Sequence, residues 1–125
     1  MKRKEKLFLV YPVISSHDDC EVYVDVEVGY NERFELVIRR TTDDGYLHRV
    51  DVDEFYADRE SAYRLSRRMN VRMTSLPERI ARACRTPGEA GDFPSYAGIV
   101  DSFRELTTIL DTYGCRYRYR RRRVA

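Results

Sequence analysis

The chain has 125 residues, the length of one domain that can bury a hydrophobic core of its own. Hydrophobic residues make up 42% of it and charged residues 35%, as in a folded and highly charged protein. The formal net charge is +2, and no apolar run approaches the ~20 residues of a membrane helix, so we expect no membrane partner.

The first predicted element is a strand over residues 7–14 (LFLVYPVI), which is apolar on both faces. Pro12 lacks an amide hydrogen, so it should place this strand at a sheet edge or end it early. The basic start followed by this run loosely imitates a signal peptide. However, Tyr11 and Pro12 interrupt the run and no A-x-A-like cleavage site follows. We therefore expect an unprocessed, cytoplasmic protein.

Three more predicted strands follow at short intervals. Residues 20–30 (CEVYVDVEVGY) alternate strictly between apolar and polar, and the Asp-Gly pair in residues 42–45 predicts a hairpin turn between the last two strands. Each strand has one marked face: Val22, Val24, Val26 and Val28 in the first, Phe34, Leu36 and Ile38 in the next, and Tyr46, His48, Val50 and Val52 in the last. The short links favour an antiparallel meander.

After residue 57 the apolar spacing becomes that of helices. Asp58 is a suitable N-cap for a first helix, and Ser75 with Glu78 fits a capping box that opens a second. Residues 86–94 predict a loop rich in Gly and Pro, and a third helix should begin at Ser95 and end at Gly114. The apolar stripes of the three helices are Ala62, Leu65 and Met69; Leu76, Ile80 and Cys84; and Ile99, Phe103, Leu106, Leu110 and Tyr113.

The predicted fold is therefore α+β, with a four-stranded antiparallel meander followed by three helices packed on one sheet face. A basic C-terminal strand or tail completes it. We divide the chain into a single α+β domain at residues 1–114 and a basic Arg/Tyr segment at residues 115–125.

Charge is segregated along the chain. Residues 18–58 carry thirteen acids and four bases, residues 59–85 carry eight arginines and two acids, and residues 115–125 carry six arginines and no acid. Either the acidic sheet and the basic segments neutralise one another, or the basic segments bind a polyanion. Arg occurs twenty times and Lys three times, which reflects either codon usage or a need for bidentate contacts.

The first candidate for such binding is the predicted helix pair at residues 59–85. Its spacing of apolar and turn residues is that of a helix-turn-helix, with Asn70 and Val71 at the turn. However, Pro77 lies where the second helix would present its base-reading side chains. An ordinary helical hairpin that covers a sheet predicts the same apolar residues. The arginines that would contact nucleic acid are Arg64, Arg67, Arg68, Arg72, Arg79 and Arg82.

The second candidate is the C-terminal segment, CRYRYRRRRVA. As a docked strand it would place tyrosines on one side and arginines on the other, with arginines opposite Glu21, Asp25 or Glu27. As a mobile arm it would stack bases on tyrosine and hold phosphates through arginine, which suits single-stranded nucleic acid. It could also be a solvated tail, or pair over residues 115–119 and leave residues 120–125 free. The binding residues of this segment would be Arg116, Tyr117, Arg118, Tyr119, Arg120, Arg121, Arg122 and Arg123.

Other side chains give little sign of chemistry. Asp51 and Asp53 share a strand face, and His17 precedes two aspartates, which suits either a hard cation or a solvated strand surface. Three distant cysteines without C-x-x-C argue against a disulfide framework and a zinc site. No P-loop, G-x-G-x-x-G or nucleophile motif is present. We therefore expect no enzyme activity, no cofactor and no metal.

The spacing of residues 23–27 and 52–55, with Leu65, Leu76 and Ile80, resembles a family of short bacterial domains of uncharacterised function. The resemblance covers about half of the chain and implies the same α+β fold and no activity. We expect a non-catalytic binding module in an accessory or regulatory role, with nucleic acid as the favoured partner. The alternative is a protein-interaction or self-assembling module, in which one subunit docks its tail on the sheet of another, with or without a small anionic ligand between subunits.

Overall fold

The computed structural model describes residues 6–17, 22–84 and 96–124, of which 14–17, 84 and 96–102 are described by their backbone alone. The predicted loop at residues 86–94 lies outside this part of the chain. Within it the elements are β1 (Phe8–His17), β2 (Val22–Tyr30), β3 (Leu36–Asp44), β4 (Arg49–Ala57), α1 (Arg59–Arg68), α2 (Leu76–Cys84), α3 (Tyr96–Thr112) and β5 (Arg118–Arg123), with a short 3-10 helix (Met73–Ser75) before α2.

The five strands form one antiparallel sheet in the order β1-β2-β3-β4-β5. The predicted α+β fold is confirmed, with its antiparallel strands, three helices and basic C-terminal strand. The two edges of the sheet are β1, where sequence analysis expected an edge strand because of Pro12, and β5.

Strand boundaries on both sides of β3 differ from those predicted, and the fourth strand begins only at Arg49, which leaves Tyr46 and His48 in the turn. The third strand runs through Asp44, so the turn lies at residues 45–48 and not at 42–45. The carboxylate of Asp44 accepts hydrogen bonds from the amides of Tyr46 and Leu47 at 3.0 and 3.1 Å, and these bonds hold the later turn. Phe34 precedes β3 with a φ of 58° and an exposed ring, so it does not belong to the apolar face of that strand.

The core lies between one face of the sheet and the helices. Val24, Val26 and Val28 of β2 face the helices, as the alternation of the sequence predicted, and Leu36 and Ile38 of β3 continue this surface. The helices contribute Ala62, Leu65, Leu76, Ile80, Ala81, Phe103, Leu106 and Leu110. Each large apolar side chain that is fully buried contributes about 1.5–3 kcal/mol relative to its exposed state, so this layer supplies the main stabilisation.

Two predicted helix ends are found where the sequence placed them. The carboxylate of Asp58 accepts the amide hydrogen of Ser61 at 2.7 Å and caps α1. Gly114 follows α3 with a φ of 67°, and the amide of Cys115 then reaches back to the carbonyl of Leu110 at 2.8 Å. This cap turns the chain from α3 towards β5. None of the described helices is long and apolar enough to cross a membrane.

Candidate nucleic-acid interface

The basic C-terminal segment is built into the sheet of its own chain. Strand β5 pairs with β4 from Tyr56 opposite Arg118 to Asp51 opposite Arg123. The prediction that its arginines lie opposite Glu21, Asp25 or Glu27 is wrong, because β2 is flanked by β1 and β3 and has no free edge. Pairing only over residues 115–119 is also wrong, since the paired residues are 118–123.

On the sheet face away from the helices, the arginines converge on a buried carboxylate. Glu54 is 0% exposed, and its Oε2 accepts a hydrogen bond from Nε of Arg39 at 3.0 Å. Nη2 of Arg39 lies 2.9 Å from the same oxygen. Arg120 and Arg122 of β5 reach Oε1 of Glu54 at 3.0 and 3.3 Å, and Glu27 lies 3.5 Å from Arg39. Glu54 therefore joins β3, β4 and β5 through charge.

On the helix-side face, two more buried carboxylates hold the same strand. The phenol of Tyr119 donates a hydrogen bond to Asp53, and this bond is the main reason that the pKa of Tyr119 is raised. Both Asp51 and Asp53 are buried, so their interpretation as a solvated strand surface is wrong. Their arginine partners are Arg40, Arg49, Arg121 and Arg123, at 2.9 to 3.8 Å.

We call this set of ion pairs the charge network. Among the described residues it joins seven arginines (Arg39, Arg40, Arg49, Arg120, Arg121, Arg122 and Arg123) to four carboxylates (Glu27, Asp51, Asp53 and Glu54). Seven positive charges against four negative ones leave an excess of three in the network, and four of the seven arginines lie on the edge strand β5. Arginines therefore hold the strand and also leave this edge basic.

Beside the start of β5 lies an open cavity of ≈ 760 Å³, which we call the 115–118 groove. Its lining residues are Glu35, Tyr56, Asp58, Cys115, Arg116, Tyr117 and Arg118. Arg116 and Arg118 are exposed, and neither belongs to the charge network. The guanidinium of Arg120 lies 5.4 Å from the centre of the Tyr56 ring, so the groove adjoins the arginines of β5.

The groove brings the first helix and the C-terminal segment together. The pKa of Asp58 is lowered, first by its hydrogen bonds from Ser61 and then by the charges of Arg118 and Arg64. Arg68 of α1 donates a hydrogen bond to the carbonyl of Tyr113 at the end of α3. Two arginines predicted from the helix pair thus lie close to the predicted C-terminal site.

The other predicted helix arginines lie elsewhere. Arg67 and Arg72 line a separate depression of ≈ 350 Å³ at the link between α1 and α2. Arg82 pairs with Glu78 at 2.6 Å on α2, while Arg64, beside the groove, pairs with Glu60 at the same distance. Arg79 is also exposed on α2. The apolar residues of both helices pack into the core, which an ordinary helical hairpin and a helix-turn-helix would both do.

The remaining candidates for chemistry are the thiol of Cys115 and the side chains that could ligate a metal. Cys115 is buried, and burial raises the pKa of its thiol to about 11, so the nucleophilic thiolate is scarce near neutral pH. Within the described residues, no three His, Cys, Asp or Glu side chains come together as metal ligands. The side chain of His17 and the whole of residues 18–20 lie outside the part that the structure describes.

Sequence reasoning missed the groove residues Glu35, Tyr56 and Asp58, and it missed Glu54 as the partner of the arginine run. A signal for the latter exists, because the acidic residues in DVDEFY and the arginines in RYRRRR are complementary when the two segments run antiparallel. No family model, curated protein or solved structure matches this chain. The resemblance to short bacterial domains therefore stays a prediction.

Proposed function

We propose that the chain is a non-catalytic module that binds single-stranded nucleic acid along β5 and the 115–118 groove. The excess of three positive charges in the charge network carries this proposal, because four of its arginines lie on β5 and give that sheet edge a basic surface. Exposed Arg116 and Arg118 extend that surface. Phosphate binding by clustered arginines supplies most of the affinity in complexes of this kind.

The geometry of a strand suits an extended polyanion. Alternate residues of a strand lie about 6.6 Å apart on one face, which is close to the spacing of phosphates in an extended single strand. Arg118, Arg120 and Arg122 occupy one face of β5 in this way. Tyr119, whose side chain is about half exposed on the other face, offers a ring for stacking. The same spacing does not match the phosphates of duplex DNA, which follow a helical path.

The test is fluorescence anisotropy with labelled single-stranded RNA, single-stranded DNA and duplex DNA across a salt series. The first variant is Arg116→Gln/Arg118→Gln, which removes two charges without touching the ion pairs that hold β5. We expect weaker binding and a salt slope that is smaller by about 1.4, because each phosphate contact on a single strand contributes about 0.7.

The matched control is Arg79→Gln/Arg82→Gln, which removes the same charge from α2. We expect this variant to keep the wild-type salt slope. If no probe binds at near-physiological salt, the proposal is wrong. If the control variant weakens binding as much as the groove variant does, the interface lies on the helices or the attraction is only that of net charge.

A second candidate function, self-association, is favoured by the opposite edge of the sheet. Phe8, Leu9 and Val10 of β1 are 44%, 43% and 41% exposed, although they are consecutive apolar residues on an edge strand. Such an edge is a template for pairing with another strand. The C-terminal segment already pairs with β4 of its own chain. Docking this segment on another subunit would therefore require that pairing to break.

Light scattering at several protein concentrations tests this second candidate. We expect a dimer that Val10→Lys converts to a monomer, because a charge on the exposed edge opposes pairing. The control Tyr46→Lys places the same charge on an exposed aromatic residue in the β3–β4 turn and should leave the mass unchanged. A wild-type protein that stays monomeric at high concentration would exclude this candidate.

A further inference from the structure

The 115–118 groove contains hydrogen-bond acceptors as well as cations. A surface that only held phosphates would need arginines alone, but two carboxylates, Glu35 and Asp58, line this cavity together with Arg116 and Arg118. Carboxylates repel phosphate, so their presence favours a ligand that also carries hydrogen-bond donors.

Both carboxylates are held in place by hydrogen bonds from residues close to them in the sequence. Oε1 of Glu35 accepts a hydrogen bond from Nδ2 of Asn31 at 2.8 Å. Oδ1 of Asp58 accepts one from the amide of Ser61 at 2.7 Å. The side chain of Ser61 also hydrogen-bonds to Asp58. Among the described contacts of Glu35, no hydrogen bond engages its second oxygen. The groove therefore presents two acceptors whose positions are already fixed. Because they are ordered before binding, the entropic cost of ordering them when a ligand binds is small.

Two tyrosines supply the walls between the acceptors and the arginines. Tyr56 and Tyr117 are half-buried in the groove, and the Tyr117 ring packs edge-on against Phe55 with ring centres 5.5 Å apart. A volume of ≈ 760 Å³ lies within the roughly 300–1,000 Å³ range of small-molecule sites, so one nucleotide fits. Aromatic rings of this kind stack on bases of any sequence.

We propose that this groove holds one nucleotide of a bound single strand and selects bases that carry an exocyclic amino group. The base stacks on tyrosine, its amino group donates to Glu35 or Asp58, and Arg116 and Arg118 hold the flanking phosphates. Adenine, cytosine and guanine carry such a group, whereas thymine and uracil do not. This inference rests on the proposed function and adds a base preference to it.

The test compares three labelled DNA octamers, dA8, dC8 and dT8, by anisotropy at one salt concentration. We expect the wild-type protein to bind dA8 and dC8 roughly tenfold more tightly than dT8, because a good contact to a base edge discriminates by about that factor. The variant Glu35→Met/Asp58→Ser should reduce this ratio to about one, because it removes both carboxylates, whereas an amide would keep an acceptor oxygen. Serine is as good an N-cap as aspartate, so α1 keeps its cap.

The control variant Glu60→Gln/Glu78→Gln removes two carboxylates outside the groove, one exposed and one partly exposed. It should raise the affinity for all three octamers equally and keep the ratio, since only the overall charge changes. Equal binding of the three octamers by the wild-type protein would overturn the base preference and leave the proposed function standing. Binding of none of them would overturn both. A ratio that survives Glu35→Met/Asp58→Ser would overturn the assignment of base selection to these two carboxylates.

Discussion

The substitution Glu54→Gln tests how β5 is held. Glu54 is 0% exposed and is the carboxylate on which Arg39, Arg120 and Arg122 converge. A glutamine has nearly the same shape, but it has no charge and turns an NH₂ group towards guanidinium N–H donors. Arg39 is only 2% exposed and would keep a single carboxylate partner, Glu27, at 3.5 Å.

Breaking a buried ion pair from one side costs about 3–5 kcal/mol, because the remaining charge stays buried without its partner. We expect a loss of about 3 kcal/mol, since Arg120 and Arg122 can turn towards water. Domains of this size have a total stability of about 5–15 kcal/mol, so the loss is a large fraction of it. With a urea m-value of about 1.5 kcal/mol/M, the unfolding midpoint should fall by about 2 M. Circular dichroism follows the transition, because the chain has no tryptophan.

The control is Glu27→Gln, in which the lost carboxylate is 29% exposed and makes, among the described residues, one ion pair at 3.5 Å. We expect this variant to lose less than about 1 kcal/mol, as partly exposed ion pairs do. A second variant, Arg39→Met/Glu54→Leu, removes both buried charges and should recover most of the stability. If Glu54→Gln costs no more than Glu27→Gln, the buried ion pair does not hold the strand and the reasoning is refuted.

Three smaller predictions use the same unfolding assay or simple chemistry. Gly29→Ala should destabilise the fold by about 1–3 kcal/mol, since a Cβ there would lie 3.0 Å from the carbonyl oxygen of Phe8; an unchanged midpoint would contradict this. Gly114→Ala should cost about 1–2 kcal/mol, because its φ of 67° disfavours a side chain, and a stabilised variant would disprove the cap. Cys115, whose pKa is raised to about 11, should resist iodoacetamide at pH 8 in the folded protein and react after unfolding, as peptide mass spectrometry would measure. Rapid labelling of the folded chain would show an accessible thiolate.

Local patterns predicted the elements well. The alternating valines of β2 face the core, Asp58 caps α1, and Gly114 ends α3, because each of these features depends on neighbours in the sequence. The turn after β3 was placed too early, since the side chain of Asp44 extends the hairpin by hydrogen bonds that the Asp-Gly signal does not encode.

The partner of the arginine run was beyond local reasoning. Several acidic segments of the chain could pair with a basic strand by charge alone. In the chain order, α1, α2 and α3 lie between β4 and β5, so the sequence gives no sign that these two strands are neighbours. Only the order of the strands decides between them, because it gives β2 two neighbours and leaves β4 an open edge for Arg118–Arg123. The groove was missed for a similar reason, since Glu35, Asp58 and Arg118 are distant in sequence and meet only after β5 has docked.

Burial decides which arginines of the β4–β5 edge a polyanion can use. Arg39 and Glu54 are almost inaccessible, so no phosphate can replace that pair without unfolding the sheet. Arg121 and Arg123 have side chains that are 56% and 61% exposed and meet Asp51 at 3.6 and 3.3 Å. The buried carboxylates keep other partners, since Arg49 lies 3.0 Å from Asp51 and Arg40 lies 2.9 Å from Asp53, so Arg121 and Arg123 can turn towards a phosphate without leaving a buried charge unpaired. The buried Glu54 therefore holds β5 in the sheet, while the exposed arginines of the same strand remain able to bind a phosphate. One arginine-rich strand can in this way serve both stability and binding.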